Sequence, residues 1–463
     1  MKKSLFISIF IGAFILNITS QQKYEANWES IDSRPIPQWF TDAKFGIFIH
    51  WGLYSVPAWG PLPSDGAGIY DCYAEWYWGK LMDRQNKVNP LFTAFHNKHY
   101  GENFKYQDFV KDFTCEMFKP DDWAKLFRES GARYVVLTSK HHEGFALWPS
   151  VHSWNWNAMD IGPHRDLAGD LTAAVRKEGL RMGFYYSLYE WFNPLYKENV
   201  AKYVDEHMLP QMKDLVNRYS PDIFWPDGEW DHPSETWKST EFLSWLYNES
   251  PVKSTVVVND RWGKETRSLH GGYYTTEYDL VHDGNVKDSK IYHPWEECRG
   301  IGNSFGYNRN ENLSDYSTSE QLVHLLIEKV AIGGNLLLNI GPTADGRIPV
   351  IMQQRLMDMG QWLKTNGEAI YGTTSWSIAK LPDTPVFFTA KGKDLYVICT
   401  KYPEKAITIP NVGKNPVSVT LLGSNVPINR SYKNKGVIIT PPMLSPNNNP
   451  GEYAWVFKLS GCL

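Results

Sequence analysis

The stretch Pro221–Trp230, PDIFWPDGEW, decides how the rest of the chain is read. Ile223, Phe224 and Trp225 have the apolar character of a buried strand, which Asp227, Gly228 and Glu229 interrupt abruptly. Pro-Asp-Gly is a common turn tripeptide, so alone it marks only the place where a strand gives way to a loop. The same passage recurs along the sequence. KFGIFIHWG, ARYVVLTSKHHEGF, RMGFYYSLYEW, STVVVNDRWG and GGNLLLNIGPTADG each climb through β-branched or aromatic residues into a polar, Gly-bearing or Trp-bearing end. Between them PDDWAKLFRES and DLTAAVRKEG carry helical periodicity, the first opening on a proline and two aspartates suited to a helix N-terminus. Alternating strand and helix imply a parallel sheet. With weaker units near Tyr273 and Trp295, the stretch from Lys44 to Asn339 predicts an α/β fold, a (β/α)8 (TIM-like) barrel rather than an open sheet. No GxGxxG follows the first strand, which argues against a dinucleotide-binding fold.

Beyond NGEAIYGTTSW the pattern changes. PVFFTA, DLYVICT, AITIP, VSVTLL, GVIIT and YAWVFKL are short alternating runs between turn-rich segments, which predicts an appended C-terminal antiparallel β-sandwich domain. The expected organisation is a signal peptide over residues 1–20, a catalytic barrel over 21–372 and the β-sandwich over 373–463. The first rests on MKKSLFISIFIGAFILNITSQQ: two lysines, an apolar stretch from Leu5 to Leu16 too short for a comfortable membrane span, and small polar residues at Thr19 and Ser20. It predicts an exported protein, periplasmic or extracellular in a bacterium and lysosomal or secreted in a eukaryote, with no membrane partner beyond that peptide.

A chain of 463 residues with 42% hydrophobic content can bury a large core. Its net charge of -4, with Lys and Arg scattered, offers no basic field for nucleic acid. The 20 Trp, 26 Tyr and 22 Phe exceed what such a core needs, and aromatic faces stack on the C–H faces of sugars. Cys72, Cys115, Cys298, Cys399 and Cys462 are widely spaced and odd in number, so they do not describe a disulfide scaffold, although Cys72 with Cys115 is one conceivable pair. CxxC and HExxH patterns are absent, and neither metal nor cofactor is expected.

Chemistry on such a barrel collects where strands end. Those ends carry His50 with Trp51, His141 with His142 and Glu143, Tyr185 with Tyr186, Trp225 with Asp227, Asn259 with Asp260 and Arg261, Glu277, and the group Trp295, Glu296, Glu297 and Cys298. Glu75 and Trp76 lie in an aromatic loop after the first strand. Singly, each has an ordinary explanation. His141 and His142 share a pocket only if the strand stops there, because neighbours on a strand face opposite ways. Arg261 could simply pair with Asp260, Glu143 and Glu229 could be solvated loop carboxylates, and Cys298 reads as a small buried residue. Together they fit glycoside hydrolysis. One carboxylate attacks the anomeric carbon or activates water, a second protonates the leaving oxygen, and neutral donors and aromatic walls hold the sugar.

FGIFIHWG, YAEWYW, SKHHEGFALWPS, IFWPDGEW, VVNDRWG, PWEEC, FGYNRNE and GGNLLLNIGPTADG, in this order, resemble the α-L-fucosidases of glycoside hydrolase family twenty-nine. The resemblance implies a retaining exo-α-L-fucosidase acting through a covalent fucosyl-enzyme intermediate, with a fucosylated oligosaccharide or glycoconjugate as its partner. Asp227 matches the family nucleophile, and His50, Glu75, Trp76, His141, His142, Tyr186 and Arg261 match its sugar contacts. Trp225 and Trp295 would wall the pocket, and Phe305 in NSFGYN would receive the 6-deoxy methyl group. Two residues compete as acid/base. Glu277 sits in TTEY where many bacterial members have TPE, and Glu296 sits in PWEEC where animal-type members have KWExC. Cys298 matches the cysteine of that motif, with no evident role in retaining chemistry. An α-L-galactoside hydrolase and a fucose-binding protein without turnover remain as alternatives, and a homo-oligomer is admitted but not specified.

Overall fold

The structure is a computed structural model, and it describes residues 22–279 and 293–463; the signal peptide over residues 1–20 lies outside the described residues. Eight parallel strands run in the order β5 (Val257–Val258), β4 (Ile223–Asp227), β3 (Arg181–Ser187), β2 (Tyr134–Lys140), β1 (Phe45–Ile49), β8 (Asn335–Ile340), β7 (Trp295–Gly300) and β6 (Tyr274–Glu277). A parallel bridge between Asn259 and Tyr273 brings the two ends of this curled sheet together. The strands are buried on both faces, as covered parallel strands require, so they read as continuous apolar runs without alternation.

Helix Pro120–Glu129 begins with proline in its first turn, places Asp121 and Asp122 there, and buries Trp123, Ala124 and Phe127. Leu167–Lys177 is capped by Asp166, whose carboxylate accepts from Gly169 N, and buries Leu171 and Val175. Among the described residues one unit departs from the expected alternation. Between β5 and β6 the chain makes turns, held by Thr266, whose hydroxyl accepts from the backbone N–H groups of Trp262 and Gly263.

The barrel interior holds its own aromatic core, including Phe48, Tyr134, Tyr185, Trp225 and Tyr273, with Phe40 of the N-terminal helix Gln38–Ala43 stacked on Tyr273 at 4.1 Å. This packing fills one end and leaves the ends of the strands to form the cavity.

From Thr374 onward two antiparallel sheets enclose a separate core that contains Phe388, Val397, Ile409, Val437 and Phe457. One has five strands, Ser418–Leu421, Trp455–Ser460, Asp394–Cys399, Val386–Lys391 and Thr374–Lys380 in spatial order; the other has Ile407–Ile409, Gly436–Thr440 and Asn429–Lys433. They are anchored to the barrel by Trp362, which donates to Ala454 O, and by Thr389, which donates to Ala369 O. All five cysteines are free and buried, so the conceivable Cys72–Cys115 bridge is not formed. Among the described residues no helix is long and apolar enough to cross a membrane.

Candidate active site

The strand ends surround a cavity of about 320 Å³. The register explains which side chains reach it. On β4, Trp225 and Asp227 share the interior face, and Tyr185 of β3 pairs with Trp225, so Tyr185 points inward with them. Its hydroxyl donates to Asp227 Oδ2 at 2.9 Å. Tyr186, expected to touch the sugar, faces the other way: it donates to Gln211 at 2.8 Å and lies under the Lys140 ammonium, outside the cavity. Of this adjacent pair, strand parity therefore puts Tyr185 in the pocket.

Asp227 is the electrostatic centre. Arg261 Nη1 donates to its Oδ1 at 2.6 Å, Arg267 Nη2 lies at 3.9 Å, and His142 Nε2 lies 4.0 Å from Oδ2. Burial alone would raise the pKa of this carboxyl; the Arg261 guanidinium, supported by Arg267, outweighs burial and holds it well below the usual carboxylate range. Arg261 is itself held in place by Thr275, which accepts from Nε at 3.0 Å and donates to Asp260 at 2.7 Å. Asp260 thus orients Thr275 and does not pair with the guanidinium. Arg261 also lies 4.4 Å over the Trp225 ring.

The structure separates the two acid/base candidates. Glu277 lines the cavity, accepts from Tyr73 at 3.0 Å and from Arg261 Nη2 at 3.4 Å, so one guanidinium joins it to Asp227. Glu296 pairs in register with Thr275, two residues deeper than the Glu277–Cys298 pair. It is fully buried and outside the cavity, with one oxygen accepting from Tyr134 at 2.6 Å and the other from Trp225 Nε1 at 3.0 Å. Burial pushes it up to about 7, and it lies beneath the Trp225 indole. Trp295, expected in the pocket wall, faces outward and packs over Gly334, whose missing side chain leaves room for the ring. Cys298 does line the cavity, with its thiol pushed far up by burial, unsuited to nucleophilic attack.

Three histidines enter as neutral groups. His50 and His141 are each pushed down to about 3 by burial, and burial holds His142 well below its ordinary value. Adjacent His141 and His142 both reach the cavity because β2 stops at Lys140 and the chain turns, Gly144 N donating to His141 O at 3.0 Å. Gly144 has φ +77°, and a side chain there would collide with the Glu190 carboxylate, so only glycine fits. Glu75, pushed up to about 7 by burial, accepts from Gly306 N at 2.8 Å and from Ser304 Oγ at 3.2 Å, which ties it to the loop carrying Phe305. Phe305 and Trp76 line the cavity.

Sequence reasoning missed several walls. Tyr70, Tyr73, Trp230 and Arg267 line the cavity from the segments between strands and longer helices, and Lys80 from the short helix Tyr77–Met82. Tyr73 was within reach, being two residues from Glu75 in CYAEW; nothing in the sequence marks Arg267, whose Nε donates to Glu229 at 2.5 Å.

Two acids, Asp227 ending β4 and Glu277 ending β6, the first held ionised, face a space near the lower end of the about 300–1,000 Å³ usual for ligand pockets and are equipped for acid-assisted displacement at a sugar carbon. Fold and site together define a glycoside hydrolase. Residues 13–368 match the model of the family described as alpha-L-fucosidase, and residues 382–460 match that of the alpha-L-fucosidase C-terminal domain. The tissue alpha-L-fucosidase of Homo sapiens is 44% identical over 99% of this chain and 96% of its own, and that of Bos taurus is 44% identical over 96% and 92%. A crystal structure of the Thermotoga maritima alpha-fucosidase in complex with a mechanism-based inhibitor superposes with a TM-score of 0.80, at 37% identity, over 94% of this chain and 99% of that one. The chain belongs to the α-L-fucosidase family.

Proposed function

We propose that this protein removes terminal α-L-fucose from fucosylated oligosaccharides or glycoconjugates with net retention, using Asp227 as nucleophile and Glu277 as acid/base. The observation that carries this reading is the Arg261 guanidinium, which joins Asp227 Oδ1 and Glu277 Oε2 across one cavity. Retention needs carboxyl groups roughly 5–5.5 Å apart, and a single guanidinium is the right scale to hold such a pair. In the first step an Asp227 oxygen bonds to the anomeric carbon while the glycosidic C–O bond breaks, and Glu277 gives its proton to the departing oxygen. In the second, Glu277 takes a proton from water, which attacks the same carbon and releases Asp227 as carboxylate. Tyr185 and Arg261 hold the attacking carboxylate in place. The amino-terminal segment supports export.

The uncharged histidines would hydrogen-bond the ring hydroxyls, and Phe305 with Phe48, rings 6.4 Å apart, would receive the deoxy methyl group. The direct test is turnover of 4-nitrophenyl α-L-fucoside beside the α-L-galactoside, which adds one hydroxyl at that methyl. An apolar niche rejects an added hydroxyl only moderately, so kcat/KM for the galactoside should be about 10–100-fold lower. Equal turnover would remove Phe305 from this role, and no turnover of the fucoside would overturn the reading itself.

A further inference from the structure

Two of the three pocket histidines have their tautomers set by neighbours whose own hydrogen bonds leave no choice. Asn339 donates from Nδ2 to Phe305 O, so its Oδ1 faces His50 Nδ1 at 2.7 Å and must accept. Ser187 donates its hydroxyl to Tyr189 O, so its oxygen accepts from His142 Nδ1 at 2.6 Å. Both rings therefore carry hydrogen on Nδ1 and bring a bare Nε2 to the cavity. His141 differs. Its Nδ1 has no hydrogen-bond partner, and neither has Glu143 Oε2, 3.6 Å away; both atoms are buried. Gly52 leaves room for the Glu143 carboxyl, and Trp156 Nε1 fixes the Glu143 backbone by donating to its carbonyl at 2.9 Å.

We propose that Glu143 is a positioning residue: its carboxylic acid donates to Nδ1 of His141 and so fixes the tautomer that offers Nε2–H to a sugar hydroxyl. Charge counting selects the acid form. Lys140, the cation that acts on Glu143, is committed to Glu190 at 2.6 Å, and both are buried, so an ionised Glu143 would be an uncompensated buried charge. The groups around the pair agree. Burial pushes Glu143 up to about 8 against the opposing pull of its own backbone N–H and Lys140, and the other polar neighbours, Tyr54 and Tyr106, are tyrosines pushed far up by burial. His141 feels Asp227 and Lys140 in opposite senses and stays neutral. The 3.6 Å separation is slightly longer than a hydrogen bond, and a small rotation of the Glu143 carboxyl brings its O–H within reach of Nδ1. The pocket then offers one imidazole donor beside two imidazole acceptors, a pattern that matches the mixed needs of neighbouring hydroxyls.

The use of this donor toward a sugar rests on the proposed function, but the tautomer itself does not. In the 15N-histidine-labelled, ligand-free protein at pH 6, long-range 1H–15N spectra should show His141 protonated on Nε2 and His50 and His142 on Nδ1. Above about pH 8 His141 should change tautomer as Glu143 ionises. Protonation of His141 on Nδ1 at pH 6 overturns the proposal. In kinetics, E143L should raise KM for the aryl fucoside about tenfold with a smaller change in kcat, and E143Q, whose amide can also donate, should recover most of it. Melting curves verify that both variants fold, and equal effects from the two would also overturn it. Absence of fucoside turnover, with the tautomer as expected, would count against the functional reading alone.

Discussion

Asp227→Ala should lower kcat for 4-nitrophenyl α-L-fucoside by on the order of 10⁴-fold or more, because the covalent step loses its only nucleophile. Sodium azide should restore turnover, since the anion fits the space the carboxylate vacates and Arg261 and Arg267 remain to attract it. Azide then attacks from the side Asp227 occupied, so the product should be β-L-fucosyl azide, inverted relative to substrate. Among the described residues the variant leaves the buried Arg261 with Glu277 at 3.4 Å as its one remaining ion-pair partner, so some loss of stability is expected. A melting curve separates this from the catalytic loss. A folded variant that azide does not rescue would count against Asp227 as nucleophile.

Glu277→Ala should behave differently in two measurable ways. General acid catalysis contributes about 10²–10⁴-fold, and it matters most where the leaving group is a poor one. The loss should therefore approach that range for a fucosylated oligosaccharide and shrink for a 2,4-dinitrophenyl leaving group, which departs without a proton. Azide should again accelerate turnover, but by intercepting the fucosyl-Asp227 ester from the opposite side, and the product should be α-L-fucosyl azide. The anomer of the azide thus reports which carboxylate was removed. Glu296→Gln supplies the contrast. Its carboxylate accepts from both Tyr134 and Trp225, and an amide can accept from only one of them. It should cost about 1–3 kcal/mol of stability and leave the leaving-group dependence unchanged. A leaving-group dependence that follows Glu296 instead of Glu277 would reverse the assignment.

The barrel was legible because each strand ran apolar and then stopped at a polar residue, as at Ile223–Asp227 and Tyr134–Lys140. Face and depth were not. FYYS offers adjacent tyrosines with equal claims, and only the pairing of Tyr185 with Trp225 decides which one meets Asp227. PWEEC places Glu296 and Cys298 on the same face, yet Cys298 reaches the cavity while Glu296 lies one layer below. Spacing along one strand carries no information about where the barrel mouth lies. The loop residues Tyr70 and Arg267 were hidden for another reason: their places depend on loop folding that leaves no periodic trace. Strands Thr374–Lys380 and Asn429–Lys433 escaped because neither shows a clean buried alternation; the second is almost entirely exposed.

Retention through an Asp227 ester is tested most directly by proton NMR of the first fucose released from 4-nitrophenyl α-L-fucoside by the purified protein. Spectra recorded before mutarotation should show α-L-fucose appearing first, with the β anomer growing in later. Initial release of β-L-fucose would mean a single inverting displacement by water, and would contradict the nucleophilic role given to Asp227.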